Sequence, residues 1–222
     1  MLTESERRAV VASIARHGGP FVRPLQLPPE LWRALEARLR PRRLAKGEFF
    51  LRPGEASASV ALVRRGLLRF YYTDTSGAEY TKAFRAEGEL ASAYAELLLG
   101  IPSRTHIQAL EDCELLAADF GALDAALSPF PSWQRTARLI AEHFYVVKER
   151  REFELLQLSA EERYGRFVEE FPGILERLPQ YHVASYLGVT PVALSRIVSR
   201  LRKTRPKTRP SVGPKAPSRR GE

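Results

Sequence analysis

The chain has 222 residues, 44% of them apolar and 27% charged, which is enough to bury a sizeable core in one large domain or two small ones. One cysteine, Cys113, excludes a disulfide framework and any multi-cysteine zinc or iron–sulfur site, and His17, His106, His143 and His182 show no metal-ligand spacing, so no cofactor is called for. The net charge of +9 is uneven: residues 200–222 hold nine of the 35 Lys and Arg and one of the 26 acids, leaving the remainder almost balanced.

The opening Met-Leu-Thr-Glu-Ser-Glu-Arg-Arg carries charge too early for the apolar core of a secretion signal. No apolar run approaches the ~20 residues of a membrane helix, so the expected setting is the cytoplasm, without a membrane partner. Thr3 and Glu6 form a capping-box pattern that predicts a helix running to His17 and ended by Gly18 and Gly19. A second helix is predicted after Pro28 and Pro29, with Leu31, Leu35 and Leu39 at helical spacing and a stop at Pro41.

From Arg43 the texture changes. Short apolar stretches alternate with turns at Lys46-Gly47, Pro53-Gly54, Arg65-Gly66, Ser76-Gly77 and Glu87-Gly88. The stretches Phe49 to Leu51, Ser59 to Val63, Leu67 to Tyr72, Glu79 to Phe84, Thr105 to Leu110 and Glu114 to Ala117 read as strands. Their even spacing predicts an antiparallel barrel or jelly roll. Cys113 stands in this strand-like apolar context and reads as packing rather than redox chemistry.

After Pro131 the period becomes helical. Trp133, Ala137, Ile140, Phe144 and Val147 alternate spacings of four and three, Arg151 interrupts the stripe, and Leu155 and Leu158 resume it. One apolar seam on a long helix, with Arg135, Arg138, Glu142, Lys148 and Glu149 opposite, is expected to join two copies of the chain; packing on the barrel is the alternative. Ser159 and Glu162 make another capping box, opening a helix closed by Pro172-Gly173.

Residues 180–203 carry the motif that points to function. A first helix with Val183, Ala184 and Leu187 on one side leads to Gly188, where a sharp turn calls for positive φ. Thr190 then caps a second helix with Pro191 in its first turn. Leu194, Ile197, Val198 and Leu201 face the core, leaving Val192, Ala193, Ser195, Arg196, Ser199 and Arg200 outward. Small and basic residues on an exposed second helix fit the major groove of double-stranded DNA, where Arg can bond guanine bidentately. The expected contacts are Gln180, Tyr181, Thr190, Pro191, Val192, Ser195, Arg196, Ser199 and Arg200. No strand pair follows, only a basic, Pro-rich tail expected to be disordered.

The chain from about Leu25 to Lys203 resembles the Crp/Fnr family of transcription regulators. The likeness rests on the Gly-punctuated barrel (Lys46-Gly47-Glu48, Pro53-Gly54-Glu55, Arg65-Gly66-Leu67), the long helix and the helix-turn-helix. It implies an α+β chain: an antiparallel double-stranded β-helix (jelly-roll) sensor domain, a dimerising helix and a C-terminal helix-turn-helix. The expected divisions are 1–130 for N-terminal helices and barrel, 131–158 for the dimerisation helix, 159–203 for the DNA-binding domain and 204–222 for the tail. The resemblance also implies homodimers on a palindromic operator, with RNA polymerase a further partner; no paired carboxylates, nucleophile–base pair or phosphate loop is readable, so no enzymatic activity is expected.

Members that bind cyclic AMP supply a Gly-Glu pair and, ten or so residues later, Arg followed by Ser, Thr or Ala. Here Arg104-Thr105 match the second half, but Ser92-Ala93 or Ala93-Tyr94 falls in the Gly-Glu slot, so neither frame gives a carboxylate. The expected effector pocket is Ser92, Ala93, Tyr94, Arg104 and Thr105, with an effector other than cyclic AMP. The alternatives are a cyclic-nucleotide-responsive regulator with a non-standard pocket and a protein-interaction module.

Overall fold

A computed structural model describes residues 2–15 and 27–204. Two helices, α1 (Glu4–Ala15) and α2 (Pro29–Arg38), precede eight strands: β1 (Arg40–Leu44), β2 (Phe49–Leu51), β3 (Ser59–Arg65), β4 (Leu68–Thr73), β5 (Glu79–Arg85), β6 (Leu90–Ala91), β7 (His106–Ala109) and β8 (Cys113–Asp119). A short helix, α3 (Tyr94–Leu99), separates β6 from β7, and α4 (Phe120–Leu127), α5 (Pro131–Gln157), α6 (Ala160–Glu170), α7 (Gln180–Leu187) and α8 (Pro191–Thr204) follow the barrel.

The strands form two four-stranded antiparallel sheets, ordered β1-β8-β3-β6 and β2-β7-β4-β5. Apart from the β4–β5 hairpin, most neighbours in each sheet are distant in sequence, the arrangement of a jelly roll. Side chains of alternating direction from both sheets, among them Phe50, Val63, Leu68, Phe70, Ile107 and Leu115, fill the space between them. The outer face of the first sheet is covered by helices: Leu62 and Leu116 pack with Leu2, Val10, Trp32 and Leu139, and Ala118 packs with Leu31, Leu123, Leu127 and Trp133. Between β3 and β4 the chain turns at Gly66, whose φ is +102°. A Cβ there would sit 2.5 Å from Cys113 Sγ and 2.8 Å from the Asp112 carbonyl oxygen, so glycine is required twice over.

The α+β jelly roll and the long helix stand as expected, but several boundaries differ. The second helix ends at Arg38, and Pro41 lies inside β1, paired opposite Leu116. β1 is an edge strand, one of the few sheet positions where proline costs no ladder bond. Helices α3 and α4 were not anticipated; α4 is announced only by the Asp119 side chain, which accepts from the Ala122 N–H at 2.8 Å. The Thr3–Glu6 box forms as read, while the expected end of α1 at His17 to Gly19 and the tail beyond Thr204 lie outside the described residues.

The seam from Trp133 to Val147 requires a correction. It is occupied within the chain: the Trp133 indole donates to Asp124 at 2.7 Å, Ala137 and Ile140 pack on the helical layer over the barrel, and Phe144 stacks on Tyr94 with ring centroids 5.1 Å apart. The apolar residues that α5 leaves exposed are Tyr145, Val146, Phe153, Leu155 and Leu156. They alternate with Glu149, Glu152 and Gln157, which breaks any simple heptad.

Candidate DNA interface and effector cavity

Helix α7 ends at Gly188, which adopts the left-handed conformation (φ +67°, ψ 36°) and whose N–H closes onto the Ala184 and Ser185 carbonyls. α8 then starts with the Thr190 hydroxyl accepting from the Ala193 N–H at 3.2 Å. Val183, Ala184, Leu187, Leu194 and Ile197 are buried and fix the angle between the two helices. All nine residues expected to meet DNA are exposed: Gln180 and Tyr181 at the start of α7, and Thr190, Pro191, Val192, Ser195, Arg196, Ser199 and Arg200 along α8. Arg200 is held by Glu161 of α6 at 2.8 Å, while Arg196 projects from the middle of the same face.

This helical pair sits directly against the barrel. Phe84 of β5 enters an aromatic cluster with Phe167, Phe171 and Tyr186, at centroid distances of 5.6 to 6.2 Å from its ring. Arg177, just before α7, bridges to Glu87 at 3.0 Å and to Glu111 at 2.6 Å, so one guanidinium ties two barrel turns to the C-terminal helices. His182 is 6% exposed on the same contact, its Nδ1 has no hydrogen-bond partner, and burial, with Arg69 nearby, lowers its pKa to about 4.

The residues expected to form an effector pocket divide. Ser92 and Tyr94 line a cavity of about 420 Å³ bounded by the barrel, α5 and the C-terminal helices; Ala93, Arg104 and Thr105 do not. Arg104 is 69% exposed and donates from Nε to Glu96 Oε1 at 3.4 Å, while Glu96 is 1% exposed. Glu96 is therefore a carboxylate beside the cassette arginine that counting along the chain did not find. It stands eight residues before Arg104 instead of ten, on a helix instead of a strand end. Its one sequence signal is a lone acid inside the apolar run Tyr94 to Leu99. Two more residues were missed altogether: Arg151, which interrupts the apolar stripe, and Glu154, both on the cavity wall.

Cys113 is buried, with its thiol against the Leu67 and Glu111 carbonyls, and burial pushes its pKa up to about 11. Such a thiol stays protonated and packs as a small apolar group. Among the described residues no helix is long and apolar enough to cross a membrane.

Residues 41–129 match the family described as Cyclic nucleotide-binding domain. The transcriptional activator protein Anr of Pseudomonas protegens is 26% identical over 199 residues, covering 83% of this chain and 80% of its own. The regulatory protein HlyX of Actinobacillus pleuropneumoniae is 25% identical over 179 residues, covering 74% and 72%. In fold, the chain is similar to FixK2 from Bradyrhizobium japonicum, with a TM-score of 0.65 at 20% identity over 74% of this chain and 85% of that one. The fold is thus that of a cyclic-nucleotide-binding-type barrel joined to a helical C-terminal region. Over most of its length the chain is similar to transcription regulators, and residues 41–129 match the cyclic nucleotide-binding family.

Proposed function

We propose that this chain regulates transcription in the cytoplasm as a homodimer, laying α8 of each copy into the major groove of a palindromic operator. The observation that carries this reading is the division of the α7–α8 pair. Val183, Ala184, Leu187, Leu194 and Ile197 of its apolar face are buried, while Thr190, Ser195, Arg196, Ser199 and Arg200, suited to base edges and phosphates, face solvent. The second copy docks on the exposed stripe of α5, with Tyr145, Val146, Phe153 and Leu156 as its apolar contacts. RNA polymerase is a further partner in this reading, and no catalytic step is assigned.

The effector is not cyclic AMP. Arg104, the group that would hold a cyclic phosphate, is paired with Glu96, and the expected ribose-binding slot holds Ser92, Ala93 or Tyr94, none of which is a carboxylate. A gel shift of the full chain on random and selected DNA over a range of salt tests the regulator reading. Binding should weaken with salt along a straight line in log affinity against log salt, and selected sequences should contain a two-fold repeat. Failure to shift any DNA at low salt overturns it.

A further inference from the structure

The cavity of about 420 Å³ lies where strands β4 and β5, helix α5 and the C-terminal helices meet. Its walls include the aromatic side chains Phe70, Tyr94, Phe144, Phe171 and Tyr186. Its charged lining is unbalanced: Lys82, Arg85, Lys148, Arg150 and Arg151 stand against Glu154 and Glu170. A site of this size, apolar in body and cationic in sum, suits a small amphipathic anion.

One patch of the wall is chemically incomplete. Arg151 and Glu154 lie on successive turns of α5, with Arg151 Nη1 3.9 Å from Glu154 Oε2, too far for a hydrogen bond. Arg151 Nη1 and Glu154 Oε1 are both buried without a hydrogen-bond partner, and the Glu154 side chain is only 5% exposed. Buried donors and acceptors are ordinarily satisfied, so a neighbouring pair left open on a cavity wall marks a place for a ligand's polar end.

We propose that this cavity is an effector site for an organic acid with an aromatic or long apolar body, its carboxylate bonded to Arg151 and Glu154 and its body between Phe171 and the stacked Tyr94–Phe144 pair. Burial already raises the Glu154 carboxyl above its usual range, and Glu170 adds to the same direction. A ligand carboxylate beside it acts likewise, so Glu154 takes up a proton and donates it in a hydrogen bond while Arg151 supplies the counter-charge. The site is separate from Arg104, which lies outside the lining.

Arg151 also explains how occupancy reaches the DNA-binding helices. Its Nη2 donates to the Tyr186 carbonyl of α7, and its guanidinium lies 3.9 Å from the centre of the Tyr186 ring. A carboxylate drawing on the same guanidinium changes the hold of α5 on α7. This last step rests on the regulator reading; binding itself does not.

Calorimetric titration of the full chain with 2-naphthoate, decanoate and the uncharged 2-naphthamide tests the proposal. At least one acid should bind, and the amide should bind at least tenfold more weakly than naphthoate. Arg151→Met should weaken binding tenfold or more, and Lys148→Gln, on an exposed residue of the cavity lining, should weaken it several-fold. Ala141→Trp should abolish binding by filling the cavity; where it does not fold, Ala95→Phe at the rim takes its place. The proposal is overturned if neither acid binds, if the amide binds as tightly as the acid, or if a folded cavity-filling variant binds like the wild type. A gel shift on the same samples separates the two readings: DNA binding without acid binding removes only this inference.

Discussion

The hydroxyl of Ser185 accepts a 2.9 Å hydrogen bond from the backbone N–H of Thr81 and donates one of 2.9 Å to the Glu79 carbonyl. β5 is the last strand of its sheet, so its outer N–H and C=O groups would otherwise form an open edge. A single side chain of α7 pairs with two groups of that edge, and α7 is thereby fastened to the barrel at the level of the backbone. Ser185→Ala leaves the buried Thr81 N–H unpaired, at a cost of ~1–3 kcal/mol. The expected result is a lower melting temperature and faster amide exchange at Thr81, with exchange in β3 and β8 unchanged. Equal exchange at Thr81 in wild type and variant would show that the contact is not made in solution.

Acid should loosen the same contact. His182 titrates near 6.5 in an unfolded chain and at about 4 in the folded one, because burial, then Arg69, disfavour its charged form while Glu79 only partly opposes them. Between those values the unfolded chain binds more protons, so stability is complete above pH ~6.5 and is lost as pH falls toward ~4, by up to ~3 kcal/mol. His106 is shifted in the same direction and adds to the trend. The melting temperature of the wild type should therefore drop between pH 7.5 and pH 5 by more than that of His182→Leu. Parallel drops in the two proteins would remove His182 from the account.

What the sequence made legible follows from range. The strands bounded by Gly turns and the helix caps at Thr3, Ser159 and Thr190 are local events, and each is set by residues within four positions of one another. The exposed face of α8 was legible for the same reason, since a 3.6-residue period decides which side packs. The pairing of Arg104 with Glu96 was not, because it depends on the turn of α3 rather than on spacing along a strand. Nor was the use of the α5 seam, because two partners, a barrel and a second helix, demand the same apolar stripe. Arg151 looked like an interruption of that stripe; its purpose appears only when Tyr186, 35 residues away, arrives beside it.

Gly66→Ala is the severest single substitution expected in the barrel. It combines a left-handed backbone with a new Cβ 2.5 Å from Cys113 Sγ and 2.8 Å from a carbonyl oxygen. Gly47→Ala meets no atom within 4 Å and serves as the control for backbone strain alone. Thermal melts should show Gly66→Ala losing far more than Gly47→Ala, and a comparable loss in both would mean that the steric clash is relieved elsewhere.

In the proposed docking of α8 on DNA, the exposed Arg196 is the side chain suited to a bidentate bond to a base, since Val192 offers only a methyl contact and Ser195 and Ser199 are short. Arg196→Ala should cost ~1–3 kcal/mol on the operator and relax preference at one symmetric pair of positions. Arg200 is engaged by Glu161, so Arg200→Ala should weaken all sequences alike. Selection from a random pool with each variant distinguishes these outcomes; an unchanged motif in Arg196→Ala would assign that residue to phosphate.

The two faces of α5 give opposite expectations for the same chemical change. Ile140 packs in the layer over the barrel, so Ile140→Asp buries a carboxylate among Leu62, Leu116 and Leu139 and should unfold the chain. Leu156 is 72% exposed in the single chain, so Leu156→Asp costs the protomer little. In a dimer formed on that face it places two like charges near one another in an apolar contact, where neither has a partner. Sedimentation and melting should therefore part company: Leu156→Asp, alone or with Tyr145→Asp, should yield a monomer whose single-chain fold, read by circular dichroism, is intact. Ile140→Asp should lose the fold itself. If Leu156→Asp remains dimeric at micromolar concentration, the exposed stripe is not the surface that joins two copies.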